Sequence, residues 1–125
     1  MRTCAYVDAW AMDEITRLQA EVLKVLASPR RLEILHALAD EPLEVGRLAA
    51  LLGVSQPNVS QHLAVMRGSG LVDVDRTGRE ATYRLADPEV MVACDVMRGV
   101  LERRLARLAR LADSARLPDL LVPVS

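Results

Sequence analysis

The sequence predicts a mainly α-helical fold with one small β-hairpin: four helices, two strands and a long fifth helix. Three observations predict it. Apolar residues recur at three- and four-residue steps along most of the chain, and that spacing gives way once, between residues 71 and 85, to strict alternation. The third is composition: 51% of the chain is apolar, yet its aromatics are only Tyr6, Trp10 and Tyr83, with no Phe, so the core must be aliphatic. At 125 residues the chain has room for a single domain with a real core.

Each element has a local cause. Residues 13–27 place Ile15, Leu18, Val22, Val25 and Leu26 at helical spacing, with Asp13 and Glu14 at the end where the helix dipole favours acids. In the following SPRRLEILHALAD, Ser28 can cap and Pro29 can take the first helical position, where its missing N–H costs nothing. This second helix runs to about Ala39 and buries Leu32, Leu35 and Leu38 or close neighbours. After Glu41-Pro42, EVGRLAALLGV gives a short third helix that stops at Gly53, a residue suited to the left-handed turn that ends helices. Ser55 then caps a fourth helix with Pro57 in its first turn; Val59, Leu63 and Met66 form its buried stripe, and Gly68 and Gly70 end it.

LVDVDR-TG-REATYRL reads as the hairpin. Pairing across Thr77-Gly78 sets Val74 opposite Ala81 and Val72 opposite Tyr83, and it also sets Asp75 opposite Glu80, an unfavourable like-charge pair. Asp87-Pro88-Glu89 opens the last helix with an N-cap residue, a first-turn proline and an acid. Along that helix Val90, Cys94, Met97, Leu101, Leu105, Leu108 and Ala112 step by three and four residues in a heptad-like seam, with Arg98, Arg103, Arg104, Arg107 and Arg110 outside it. A seam that long needs a partner helix. The chain thus divides into an N-terminal arm (1–12), a domain (13–112) and a C-terminal tail (113–125).

The net charge of −1 denies the chain any bulk attraction to polyanions or anionic membranes, so a basic surface must be local. Residues 55–85 hold the only basic excess, 4 Lys+Arg against 3 acids. Cys4 and Cys94 lie far apart without a CxxC, which argues against a disulfide scaffold. No signal-peptide core and no apolar run of membrane-spanning length is visible, so the expectation is a cytoplasmic protein with reduced thiols and no membrane partner. HExxH, GxSxG and phosphate-binding glycine loops are missing, and two histidines leave few general bases, which excludes most catalysis. Three aromatics cannot supply the stacking platform of a single-strand or RNA binder.

Helix, short turn, helix, hairpin is the order of a winged helix-turn-helix, in which the fourth helix enters the DNA major groove. Its outward face explains itself on that reading. Ser55, Gln56, Pro57, Asn58, Ser60, Gln61, His62 and Arg67 are the candidate DNA contacts on this helix. Amide side chains pair with adenine, hydroxyls serve base or phosphate, and the helix N-terminus attracts a phosphate. Arg76 and Arg79 flank the hairpin tip and supply charge for minor groove or backbone.

The stretches ASPRRLEILHAL, VGRLAALLGVSQPNVSQHLAVMRGSGLV and GREATYRL resemble the ArsR/SmtB family of winged-helix repressors, over residues 20 to 112 or so. The resemblance implies a homodimer joined through the first and last helices, bound to an imperfect inverted repeat in promoter DNA and released by an inducer the sequence does not name. The interface so implied comprises Ile15, Leu18 and Val22 with Val90, Cys94, Met97, Leu101, Leu105 and Leu108. The family's metal-ligand sets are not kept. Its third-helix Cys-Val-Gly-Asp-Leu stands here as Glu44-Val45-Gly46-Arg47-Leu48, and the Asp, His, His and Glu of zinc and nickel members stand as Asp87, Glu89, Val100 and Arg103. Val65 and Ser69 occupy the places of the cysteine pair found in cadmium and lead sensors.

What remains for sensing is Cys4 with Cys94, a site for a soft thiophilic metal or metalloid or for a reversible disulfide. The ordinary reading of Cys94 is a packing thiol on the seam. His62 has two readings as well, a DNA contact or a structural hydrogen bond to the third helix, whereas His36 reads as a partly buried helix residue and Arg30 and Arg31 as a solvated face, an ion pair or phosphate contacts. The alternative function is a winged-helix module for protein contact without specific DNA readout, suggested by Asp73, Asp75 and Glu80 near the wing.

Overall fold

A computed structural model of the chain describes residues 9–113 as two units, one running to Pro88 and one beginning at Glu89. The first contains α1 (Ala9–Leu26), α2 (Pro29–Asp40), β1 (Leu43–Glu44), α3 (Val45–Leu52), α4 (Gln56–Gly68), β2 (Val72–Thr77) and β3 (Glu80–Leu85). The second is the helix α5 (Glu89–Ala112). The expected arm therefore already turns helical at Ala9, four residues before Asp13, while its residues 1–8 and the tail from residue 114 lie outside the described residues.

Local chemistry sets the helix ends. Ser28 Oγ accepts from the Arg31 N–H at 3.3 Å to cap α2, and Ser55 Oγ accepts from the Asn58 N–H at 3.2 Å to cap α4. Glu41 leaves α2 in an extended conformation (φ −165, ψ 156), as a residue before proline must. Gly53 ends α3 at φ 68 and donates its N–H to Ala49 O, the left-handed stop that glycine takes without a Cβ clash. Four-residue spacing then brings Ile34, Leu35 and Leu38 of α2, Leu48 and Ala49 of α3, and Val59, Leu63 and Met66 of α4 into one aliphatic core with Leu43, Leu71 and Val72. In α2 the deeply buried pair is Ile34 and Leu35, while the expected Leu32 is only half-buried.

The sheet has three strands, in the order β1-β3-β2, all antiparallel. The hairpin register differs from the one expected. Val72 faces Leu85, Val74 faces Tyr83, Asp75 faces Thr82 and Thr77 faces Glu80, so the loop is Gly78-Arg79 rather than Thr77-Gly78. Gly78 has φ 62 and, among the described residues, no non-glycine residue has positive φ, the type II′ pattern whose twist matches that of a hairpin. This register removes the Asp75–Glu80 conflict: Arg84 sits across from Asp73 and makes ion pairs with both Asp73, at 3.6 Å, and Asp75. Strand β1, two residues long, was not expected; it pairs Leu43 with Tyr83 and Glu44 with Thr82.

Candidate nucleic-acid interface

Helix α4 is amphipathic in an unusual sense. Val59, Leu63 and Met66 are fully buried on one side, which turns Ser55, Gln56, Pro57, Asn58, Ser60, Gln61 and Arg67 into solvent on the others. The N-terminal turn of α4 is capped by Ser55 and carries no acid, so the positive end of its dipole faces outward uncancelled. Gln56 also borders α3: a Cβ placed on Gly46 would lie 3.4 Å from Gln56 Nε2, so this glutamine runs along the first turn of the neighbouring helix. Among the described residues Arg67, Arg76 and Arg79 make no ion pair, and all three are exposed, whereas Arg84 is engaged by Asp73 and Asp75 and Arg30 by Glu33 at 3.3 Å. The wing's free charge thus lies at its tip.

His62 is not bonded to α3. Its Nδ1 accepts from Arg31 Nε at 3.2 Å, so the structural partner comes from α2. Burial, then Arg31, then Arg30 lower its pKa from the ordinary 6.5. Arg31 itself points inward, donating from Nη1 to Val25 O at 3.1 Å, which corrects its reading as a solvated or phosphate-facing residue. His36 is half-buried, as expected of a helix residue.

Two further features escaped the sequence reading. Val65 is 41% exposed and follows Asn58 by seven residues and Gln61 by four, so it stands one turn beyond Gln61 on the same outward face of α4. The sequence reading named it only as the residue standing at one of the family's cysteine positions. On α5, Met97, Leu101 and Leu105 of the seam are exposed, but so are Val92, Val96 and Val100, a second row stepping by four on a different side of the helix. On α1, Ile15 and Leu18 are exposed and Val22 half-buried.

Sequence comparison decides the family. Residues 28–74 match the arsR family of bacterial regulatory proteins. The HTH-type transcriptional regulator Rv0081 of Mycobacterium tuberculosis (strain H37Rv) is 37% identical over 103 residues, covering 81% of this chain and 90% of its own. The chain belongs to the ArsR family. It is accordingly a transcriptional regulator with a winged-helix domain, not an enzyme. The crystal structure of Rv0081 superposes with a TM-score of 0.68 at 36% identity, covering 74% of this ArsR-family chain and 94% of Rv0081. The solution structure of Mb0332 from Mycobacterium bovis, described as a homodimeric winged helix-turn-helix DNA-binding domain, gives a TM-score of 0.72 at 28% identity, covering 80% and 93% of the two chains. The biofilm growth-associated repressor of Agrobacterium fabrum is 42% identical over 77 residues, 62% of this chain and 66% of its own.

Among the described residues no group of three His, Cys, Asp or Glu stands where it could hold a metal ion. Cys94 is a half-buried free thiol, and burial, followed by Asp95, pushes its pKa above the ordinary 9.0. A thiol held protonated is a poor ligand and a poor nucleophile, which favours the packing reading. Cys4 lies outside the described residues. No described helix is long and apolar enough to cross a membrane.

Proposed function

We propose that this ArsR-family chain works in the cytoplasm as a homodimeric, sequence-specific repressor that binds an imperfect inverted repeat in promoter DNA and is released by an inducer. The observation that carries this is the outward face of α4, an uncharged hydrogen-bonding surface with a capped, acid-free N-terminus beside a wing whose tip arginines have no acidic partner among the described residues. Gln56, Asn58, Ser60 and Gln61 read base edges, Val65 meets a thymine methyl, and the first turn of α4 with Arg67, Arg76 and Arg79 holds phosphates. Exposed Ile15 and Leu18 on α1 and Met97, Leu101 and Leu105 on α5, joined by Val22, Val90, Cys94 and Leu108, supply the apolar surface that a second copy covers. Mb0332 is described as a homodimer and the Agrobacterium relative as a repressor, which supports both parts of the reading.

A module for protein contact would use the acids near the wing, but Asp73 and Asp75 are already paired with Arg84. The test is a mobility shift on duplex from the promoter of the chain's own gene, over a salt series. Binding that falls steeply with salt and is abolished by changing Gln56, Asn58, Ser60 and Gln61 together supports specific recognition. Binding unaffected by the fourfold change overturns it.

A further inference from the structure

Arg31 is the third residue of α2 and is fixed at both ends. Its backbone N–H donates to the Ser28 cap, while its guanidinium donates from Nη1 to Val25 O at 3.1 Å and from Nε to His62 Nδ1 at 3.2 Å. Val25 lies in the last turn of α1, where the final carbonyls have no donor from their own helix. A single half-buried guanidinium therefore joins the end of α1 to the middle of α4.

The bond to His62 has a chemical consequence. Guanidinium can only donate, so His62 Nδ1 must present its lone pair, and the proton of the neutral ring resides on Nε2. Burial and the two nearby arginines keep that ring neutral. Among the described residues Nε2 has no hydrogen-bond partner. His62 is half-buried and one helical turn from Asn58 on α4.

We infer that Arg31 is a positioning residue for the reading helix: it ties α4 to the end of α1 and locks the His62 ring so that its Nε2–H is offered to the DNA. This rests on the reading of α4 as the element that enters the duplex. Arg31 acts through His62 and touches no phosphate itself, and His62 contributes a neutral donor rather than a charge.

The test uses the full chain. Long-range ¹H–¹⁵N spectra of the free protein at neutral pH are expected to show His62 as the Nε2–H tautomer, and Arg31→Met, which keeps an apolar stem but no donors, is expected to give mixed tautomers. On duplex selected from a randomised pool by the wild type, Arg31→Met should bind several-fold more weakly with an unchanged slope of log K against log salt. His62→Gln, which places an amide N–H near Nε2, should bind close to wild type, and His62→Asn, which places its amide near Nδ1, should bind several-fold more weakly. The inference is overturned by a wild-type ring in the other tautomer, by a slope that flattens by ~0.9 in Arg31→Met because Arg31 contacts phosphate directly, or by His62→Asn binding as wild type does. Should Arg31→Met fail to fold, the Gln and Asn pair decides. A wild type that selects no duplex refutes the reading of α4, and the free-protein spectra still judge the role of Arg31.

Discussion

At the scale of single residues, two side chains on α4 carry separate predictions. Val65, exposed one turn beyond Gln61, would on the proposed reading of α4 sense the methyl group that distinguishes thymine from uracil. Replacing thymine by uracil in a selected duplex should cost the wild type a few-fold in affinity for each methyl it touches, about 1 kcal/mol. Val65→Ala should no longer distinguish the two duplexes in a mobility shift, and retained discrimination would refute the contact. His62 makes stability depend on pH. Its pKa is depressed below 6.5, so on acidification the unfolded chain takes up a proton first. Stability is therefore full above 6.5 and lost as pH falls from there through the depressed value. Urea unfolding at pH 7.5 and pH 5 should show a loss in the wild type that is smaller in His62→Gln, and equal losses would argue against the shift. The partner behind this behaviour, Arg31, is 31 residues away, beyond any spacing argument. Sequence could name His62 as a polar residue on a helix, but not which helix would hold it.

At the scale of elements, what could be read from sequence was what neighbours in sequence decide. Ser28-Pro29 and Ser55 announce helix starts because a cap needs only the next three residues, and Gly53 announces a stop because αL backbone favours glycine. A Cβ at Gly53 would meet nothing within 4 Å, so the cost of Gly53→Ala is torsional alone. We expect that substitution to lower stability by about 1 kcal/mol, or ~5 °C in Tm for a domain of this size, by calorimetry or circular dichroism. No change would mean the α3–α4 turn can relax out of its left-handed geometry. The hairpin register was misread for an equally physical reason. Moving one strand by two residues leaves every side chain on the same face, so the alternation of Val72 and Val74 with Asp73 and Asp75 fits either pairing. Only charge and turn chemistry separate them. The Asp75–Glu80 clash was the sign that favoured the Gly78-Arg79 loop, in which Arg84 reaches both aspartates. The seam of α5 was visible as a heptad, but fitting one period conceals another, and Val92, Val96 and Val100 passed as ordinary helix residues although all are exposed.

At the scale of the whole molecule, the exposed apolar rows of α1 and α5 make association the central expectation. Leu101→Glu should shift the protein from dimer to monomer in sedimentation at micromolar concentration. Because two half-sites are then no longer held by one particle, affinity for an inverted repeat should fall by about a hundredfold or more, with the single half-site little affected. A mutant that remains a dimer would assign the interface elsewhere, with the Val92–Val96–Val100 row next to be tested. The order of the helices and the exposed polar face of α4 were legible because each rests on a pattern repeated over many residues. Strand β1 was not, since two residues carry no period, and its evidence lies in the pairing of Leu43 with Tyr83. That short strand makes β3 an inner strand, with ladder partners on both sides at Tyr83 and Thr82, while Thr77, Gly78, Arg79 and Glu80 extend past β1 as a two-stranded tip. In deuterated solvent, then, the base of the wing should keep its amide protons long after the tip has traded them. On the proposed reading, the arginines at the far end would then be free to follow a groove while the root remains still.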